Sequence, residues 1–483
     1  MIKIIGLGPG DPKALTVGAI EELKRGTNIF FRTKIHPTVE FIDNMGIKYA
    51  TYDYLYEAST SFDEVYDNIA LDLVNRHKEI GELIYAVPGH PLVAERSVSN
   101  LIQLCKESGI EYKVVPAVSF IDAMMERLEI DPIEGIKIVD AFDINNQILD
   151  KRIGTIVTQV YNGFIASEVK IRLSEFYDDE TEIIYCRAVG IEGQERIIKI
   201  PLYELDMQED IDYLTSIYIP RDLENKKDIY DLIGIVDVLR GDNGCPWDKV
   251  QTHQSIKSGL VEESYEVVDA IEKEDYDGLI EELGDVLLQV IFHAAIEKED
   301  GYFNLTDIID GICNKLVFRH PHVFGNLKVE GTEAVLENWD KLKKKEKKYT
   351  TLSDELEGVA KALPSLIRAK KVQAKARKVG FDLESVEEAF NKVKEELREV
   401  MQVYNTKDMG RIREEVGDLI FACVNIARFL DVDGEEALNK TTNKFIKRIE
   451  FIEKESKKKG YNIEEMTLEE MNYFWEKSKT RQK

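Results

Sequence analysis

Five acidic side chains recur at one spacing in two places. Glu262, Glu263 and Glu266 are followed by Glu282 and Asp285, and 133 residues further on the pattern returns without a gap as Glu395, Glu396, Glu399, Glu415 and Asp418. In each set two glutamates stand four apart with a third beside them, and a second acidic pair stands three apart, so each group shares one face of a helix. Two facing helices would bring five carboxylates to one point. Two such charges ~5 Å apart repel by ~3 kcal/mol at an effective dielectric of about 20, so the cluster must take up protons or bind cations. Hard oxygen ligands with no neighbouring Cys or His set suit Mg²⁺ or Mn²⁺, and helical bundles build carboxylate metal sites in this way. Magnesium in turn points to a phosphate substrate, whose charge it offsets and whose attacking water it activates.

The surroundings of the acids refine this. Other Glu-Glu pairs, such as Glu21-Glu22 and Glu387-Glu388, lack the second acidic pair and read as solvated helix faces. Asp285 opens the run Val286-Leu287-Leu288-Gln289-Val290-Ile291-Phe292, and Asp418 precedes Leu419-Ile420-Phe421-Ala422-Cys423-Val424, so both are expected to face an interior. Downstream of each copy a basic pair recurs at a four-residue spacing, Lys315 with Arg319 and Lys444 with Arg448, with Lys447 added in the second. These cations are the expected clamp for outer phosphates. Two turns beyond Asp418 and on its face stands Asn425, where the first copy has Phe292. An inward amide needs hydrogen-bond partners, and two readings are open: a contact that orients a nucleoside or other ligand, and a core polar residue satisfied within the protein. The second copy is therefore the expected site of turnover, with Glu396, Glu399, Glu415 and Asp418 as its catalytic acids.

The elements that position these residues follow from the hydrophobic pattern. Up to about residue 220, apolar runs such as KIIGLG, NIFFRT, ELIYAVPG, KVVPA, GTIVTQVY, TEIIYCRAV and SIYIP alternate with amphipathic stretches, which is an α/β pattern. Beyond Pro220 nearly every segment has apolar spacing of three and four among Glu and Lys, which is helical. A second break is Lys341-Leu342-Lys343-Lys344-Lys345-Glu346-Lys347-Lys348, expected as a solvated helix end or linker. The expected organisation is multidomain, an α/β domain over 1–220 and two all-α helical bundles over 228–348 and 358–483.

With 483 residues the chain is long enough for three cores. Its 64 basic and 91 acidic side chains leave a net charge of −27, which argues against a duplex nucleic-acid partner. No stretch approaches the ~20 apolar residues of a membrane-spanning helix, and Met1-Ile2-Lys3-Ile4-Ile5-Gly6 reads as a first strand rather than a signal peptide. A cytoplasmic protein is expected, with its five scattered cysteines reduced and mostly buried.

The EExxE and ExxD patterns, together with Leu239-Arg240-Gly241-Asp242-Asn243-Gly244-Cys245-Pro246-Trp247-Asp248 and Arg319-His320-Pro321-His322-Val323-Phe324, resemble the MazG nucleoside triphosphate pyrophosphohydrolases over roughly residues 228–483. The resemblance implies Mg²⁺ held by both sets of acids, a nucleoside triphosphate substrate cleaved between its α and β phosphates, and a role in cleansing nucleotide pools. By analogy it also implies a homodimer. Trp247 is expected as a packing anchor and His320-Pro321-His322 as a structural turn.

At the front, the strand at residues 2–6 runs into Gly6-Leu7-Gly8-Pro9-Gly10-Asp11-Pro12, a GxGxG spacing unlike the dinucleotide GxGxxG. This phrase, with Val87-Pro88-Gly89-His90-Pro91-Leu92 and Val115-Pro116-Ala117-Val118-Ser119-Phe120, resembles the tetrapyrrole (corrin/porphyrin) methylases over roughly residues 1–220. The resemblance implies S-adenosylmethionine held by Gly8, Pro9, Gly10, Pro88, Gly89, His90 and Ser119. His90 departs from the GDP that the family carries at this loop, which puts methyl transfer in doubt. Two rival readings are a methyltransferase whose helical part mediates association, and a non-catalytic nucleotide-binding or assembly protein.

Overall fold

The structure, a computed structural model, describes residues 1–59, 61–329, 331–460 and 462–481. Gln482 and Lys483, the end of the second expected helical domain, lie outside the described residues. The chain divides into two compact units, Met1–Phe292 and His293–Lys483. The division falls within the helix Tyr276–Asp300, inside the range 228–348 expected for the first bundle.

The first unit begins with two five-stranded sheets. In the first, β1 (Ile2–Gly6), β2 (Ile29–Phe31), β3 (Ala50–Thr51), β4 (Leu83–Val87) and β5 (Tyr112–Val114) lie in the order β3-β2-β4-β1-β5, all parallel. β2 and β4 are buried along their whole length, as the continuous runs IFF and LIYAV require of strands covered on both faces. In the second, β6 (Ile136–Asp140), β7 (Gly154–Thr158), β8 (Glu182–Arg187), β9 (Arg196–Pro201) and β10 (Thr215–Ile219) lie in the order β6-β7-β10-β8-β9. Only β6 and β7 pair parallel in this mixed sheet. The segment after Pro220 is fastened to this sheet. Lys151, almost fully buried, donates to the carbonyls of Asn225 and Lys226 and pairs with Asp231 at 2.8 Å, while Arg152 pairs with Asp228.

The helical part begins with Ile229–Arg240, capped at Asp228, and continues to a hairpin of His253–Lys273 and Tyr276–Asp300. Thr252 caps the first arm in a reciprocal box with Ser255, and Glu274 ends it in the left-handed conformation. The second unit repeats the hairpin as Val386–Val403 and Met409–Phe429, capped by Ser385 and Asp408, and adds helices Ser365–Arg377, Gly434–Lys458 and Leu468–Arg481. The lysine run is the solvated end of helix Thr332–Lys347.

Three expectations need correction. All five cysteines are free, but only Cys105 and Cys186 are buried, because the helical part holds few enclosed positions. Trp247 is 68% exposed rather than a packing anchor, since the short helix Pro246–Lys249 that carries it lies at the surface. Asp418 is exposed and Asp285 only half-buried, because each lies at the border of its helix's apolar face. His320 does form a turn, its Nδ1 lying 2.7 Å from the Leu316 carbonyl. Among the described residues no helix is long and apolar enough to cross a membrane.

Candidate functional site

In the helix Val386–Val403 the residues Val386, Ala389, Val393, Glu396, Val400 and Val403 form one stripe at spacings of three and four, and Glu396 is its sole acid. The stripe turns inward, so Glu396 is only 5% exposed. Glu399, one turn on, flanks it, while Glu395 turns outward to accept from Lys392 at 3.0 Å. The helix Met409–Phe429 supplies Glu415 and Asp418, and ligand oxygens of Glu396, Glu415 and Asp418 lie within 4.8 Å of one another. One oxygen of Glu396 pairs with Lys392 at 2.8 Å, and the other, Oε2, is buried without a hydrogen-bond partner. The adjacent carboxylate of Glu396, above all, holds the carboxyl of Glu399 above its usual range, aided by burial and by the charges of Glu415 and Glu395.

The first hairpin follows the same rule. Ile256, Leu260, Glu263, Val267 and Ala270 form the inward stripe, and Glu263, Glu266 and Glu282 offer oxygens within 4.8 Å of one another. Burial and the neighbouring Asp285, Glu266 and Glu282 raise the Glu263 carboxyl, and burial with Glu266, Glu281 and Asp285 raises that of Glu282. The arms approach closely at Gly259, where a Cβ would meet Gln289 Nε2 at 2.8 Å. In each copy three acids therefore bring oxygens together and a fourth, Asp285 in the first and Glu399 in the second, interacts with them by charge, so the cluster holds four rather than five. Glu262 and Glu395 stand about 100° around the helix from their inward neighbours and lie outside the cluster.

An orphaned carboxylate oxygen among like charges is the environment a hard cation relieves, and these residues fit Mg²⁺ or Mn²⁺. The second cluster fits better, because its central glutamate is buried and the central Glu263 of the first is half-exposed.

The raised carboxyl of Glu399 leads to a pH test. A carboxyl raised in the folded state binds its proton more tightly there than in the unfolded chain, so its contribution to stability is present below the unfolded value and is lost as pH rises through the folded one. In metal-free protein the Glu399→Gln change replaces that proton with an amide donor. The variant is expected to melt above the parent at pH 7, with the gain fading as pH falls below the ordinary glutamate range and reversing when Mg²⁺ is added. Melting curves across pH in chelator measure this, and a variant less stable than the parent at pH 7 would refute it.

The expected cations are placed unequally. Arg319 is engaged: its Nε and Nη2 each lie 2.7 Å from Glu346 Oε2, and its guanidinium lies over Trp339. It is thus not the free phosphate clamp expected of it, because a nearly buried guanidinium requires a counter-charge. Lys315 is half-buried, Lys444 and Lys447 are exposed, and Arg448 lies 5.0 Å from the centroid of the Trp475 ring. Asn425 is half-buried, and its carbonyl accepts from Arg428. The expectations missed Arg428; an arginine one helical turn beyond a singled-out amide was the available signal.

In the front domain the two glycine loops meet at the carboxyl ends of β1 and β4. Gly8 N–H donates to the Gly89 carbonyl at 3.2 Å and Gly89 N–H to that of Gly8 at 2.9 Å. Both lie in the left-handed region, φ +73° and +66°, which makes glycine the favoured residue. Their N–H groups are thus spent on each other. A cofactor gripped by the backbone there would rely on the N–H groups of Gly10 and His90 and the carbonyls of Pro9 and Pro88, since proline has no N–H. His90 Nδ1 accepts from Leu92 N–H at 3.1 Å, a turn contact that an aspartate carboxylate also makes. Ser119 is buried as the cap of helix Phe120–Leu128, in a reciprocal box with Asp122. Beside these loops the expectations missed a polar group. Arg32 pairs with the buried Glu95 at 3.3 Å, Ser97 bridges Glu95 and Tyr85, and Arg32 acts electrostatically on Tyr56, Tyr66 and Tyr161. Burial and Arg32 push the His36 imidazole down to about 4.

In chain order, a two-sheet α/β domain is followed by two paired-helix acid clusters. The model of the MazG nucleotide pyrophosphohydrolase domain matches residues 251–324 and 374–451, and that of the Tetrapyrrole (Corrin/Porphyrin) Methylases matches 1–206. The chain is 42% identical over 482 residues to "Uncharacterized protein YabN" of Bacillus subtilis, covering 99% of this chain and 98% of that one. It is 41% identical over 249 residues to "Nucleoside triphosphate pyrophosphohydrolase/pyrophosphatase MazG" of Thermotoga maritima, covering 52% and 94%. To "Nucleoside triphosphate pyrophosphohydrolase" of Escherichia coli (strain K12) it is 40% identical over 256 residues, covering 52% and 97%. The chain belongs to the MazG family, with a tetrapyrrole methylase domain ahead of two MazG segments.

Proposed function

We propose that the chain hydrolyses nucleoside triphosphates, ribo- or deoxyribo-, to a monophosphate and pyrophosphate with Mg²⁺ or Mn²⁺, and that it cleanses the nucleotide pool of the cytoplasm. The observation that carries this reading is the buried, unpartnered Oε2 of Glu396 beside Glu415 and Asp418. The family and the names of the relatives from Thermotoga maritima and Escherichia coli support it. Glu396, Glu399, Glu415 and Asp418 would hold the cation, which when bound offsets phosphate charge and acidifies water. Lys392 holds one oxygen of Glu396 and so fixes the direction of the other. The exposed Lys444 and Lys447 supply charge for outer phosphates. The full chain is to be tested on a triphosphate panel, with pyrophosphate and phosphate measured separately; release of phosphate alone would overturn the reading.

The three-domain division 1–220, 228–348 and 358–483 belongs to the same proposal, as does a homodimer. The helix Val386–Val403 and its C-cap Tyr404 carry a second apolar stripe about 80° around from the first, Phe390, Leu397, Met401 and Tyr404, each 46–64% exposed. A patch of this kind on a helix marks an association surface, and a monomer in sedimentation equilibrium would refute the dimer. For the front domain the proposal is S-adenosylmethionine bound beside Pro9, Gly10, Pro88 and His90. Saturable heat on titrating the full chain is expected; no heat at high ligand concentration would leave the domain without that cofactor.

A further inference from the structure

Seven residues beyond Asp418, about 10 Å along the axis at ~1.5 Å per residue, Asn425 lies on the same helix face. Its amide is not free to turn. Arg428 donates to Asn425 Oδ1 from Nε at 3.0 Å and from Nη2 at 2.6 Å. The Arg428 side chain is only 6% exposed, and its Nη2 also pairs with Asp382, itself within 3.7 Å of Arg377. An arginine has five donors and no acceptor, so whichever amide atom faces it must be the oxygen. That conclusion rests on the chemistry of the pair rather than on how the amide is drawn.

Two buried polar atoms accompany the amide without partners. Arg428 Nη1 has no acceptor. Gln373 is 7% exposed and donates to the Phe421 carbonyl, one turn before Asn425, at 2.9 Å, but its Oε1 has no donor. Buried polar atoms are costly when unmatched, so orphans of both signs beside one amide fit a place for a polar ligand.

We propose that Arg428 is a positioning residue for nucleotide selection: by capturing Oδ1 it leaves Asn425 to present only N–H donors, so the site selects a nucleoside with a hydrogen-bond acceptor at that point. This rests on the pyrophosphohydrolase reading. The acceptor is a carbonyl on the edge of the base or an oxygen of the sugar, and substrate pairs distinguish them. UTP against CTP and ITP against ATP differ in a carbonyl replaced by an amino group, and UTP against dUTP differs in one hydroxyl.

The experiment measures kcat and KM for these pairs on the full chain and on Asn425→Asp, Arg428→Met and Arg428→Lys. Asn425→Asp keeps the shape and the bond to Arg428 but turns the presented donor into an acceptor. It should move a base ratio roughly tenfold or more toward the amino-bearing base. A sugar hydroxyl can donate to a carboxylate as well as accept from an amide, so selection at the sugar shows instead as a UTP to dUTP ratio that Asn425→Asp leaves in place and Arg428→Met lowers. Arg428→Met frees the amide to turn and should bring the same ratio close to one, acting through KM more than kcat; Arg428→Lys should restore part of it. Ratios unmoved by both Asn425→Asp and Arg428→Met, or equal losses on every substrate, would overturn the proposal. If Arg428→Met does not fold, Asn425→Asp decides for the base and Arg428→Lys for the sugar. An unmodified chain that releases no pyrophosphate from any triphosphate refutes the parent reading instead, a result that none of the ratios can mimic.

Discussion

Replacing Glu396 or Asp418 with alanine is expected to lower pyrophosphate release a hundredfold or more, equivalent to about 3 kcal/mol of transition-state stabilisation. The matching changes Glu263→Ala and Asp285→Ala are expected to cost less than tenfold. Acid identity does not separate the copies, since both retain the pattern. The environment does: Glu396 is 5% exposed with one oxygen unpartnered, whereas Glu263 is open to water that competes for any cation. Only the second copy adds Asn425 and the three basic residues Lys444, Lys447 and Arg448. Steady-state kinetics on the four variants, each checked for unchanged helicity, decide the matter. A larger loss in the first-copy variants would reverse the assignment, and equal losses would mean two working sites.

Removal of divalent cations should abolish hydrolysis, and Mg²⁺ or Mn²⁺ should restore it. Four convergent carboxylates repel a polyphosphate, so without a cation the substrate has no favourable contact at the acids. The same cation should stabilise the fold, because a ligand of the native state alone contributes about 2.7 kcal/mol at a hundred times its dissociation constant. That is a rise of several degrees in the thermal midpoint. Undiminished pyrophosphate release in excess chelator would end the metal-dependent reading, and a midpoint indifferent to millimolar Mg²⁺ would count against convergence.

Much of the organisation was legible in the chain. The repeat, the switch from α/β to helical periodicity near Pro220 and the glycine loops all carried over into the structure, because each is a local or periodic property. β6 and β9 escaped notice for a physical reason. IKIVD and RIIKIP mix charge into short apolar runs, as suits strands at the two edges of a sheet, where one side of the ladder is unpaired. The inward glutamates Glu263 and Glu396 were among the expected ligands, and both interrupt apolar stripes at helical spacing. Glu262 and Glu395 were grouped with them although neither lies on those stripes, which is why they turn away from the cluster.

By itself the sequence determined which chemistry was available: two sets of acids at helical spacing, an amide seven residues beyond the last acid in one set only, and glycines in two loops 81 positions apart in the chain. The tertiary structure decided which of these groups meet. A helix offers every azimuth; the apolar stripe marks Glu396 as inward, but only packing against the neighbouring helix brings it to Glu415 and Asp418. Arg319 reads as a free cation until Glu346 is found beside it. The amide of Asn425 has two faces until Arg428, a donor without an acceptor, takes one of them. In each case the deciding quantity is a distance between side chains on a packed surface, which residue types and spacing bound but do not set.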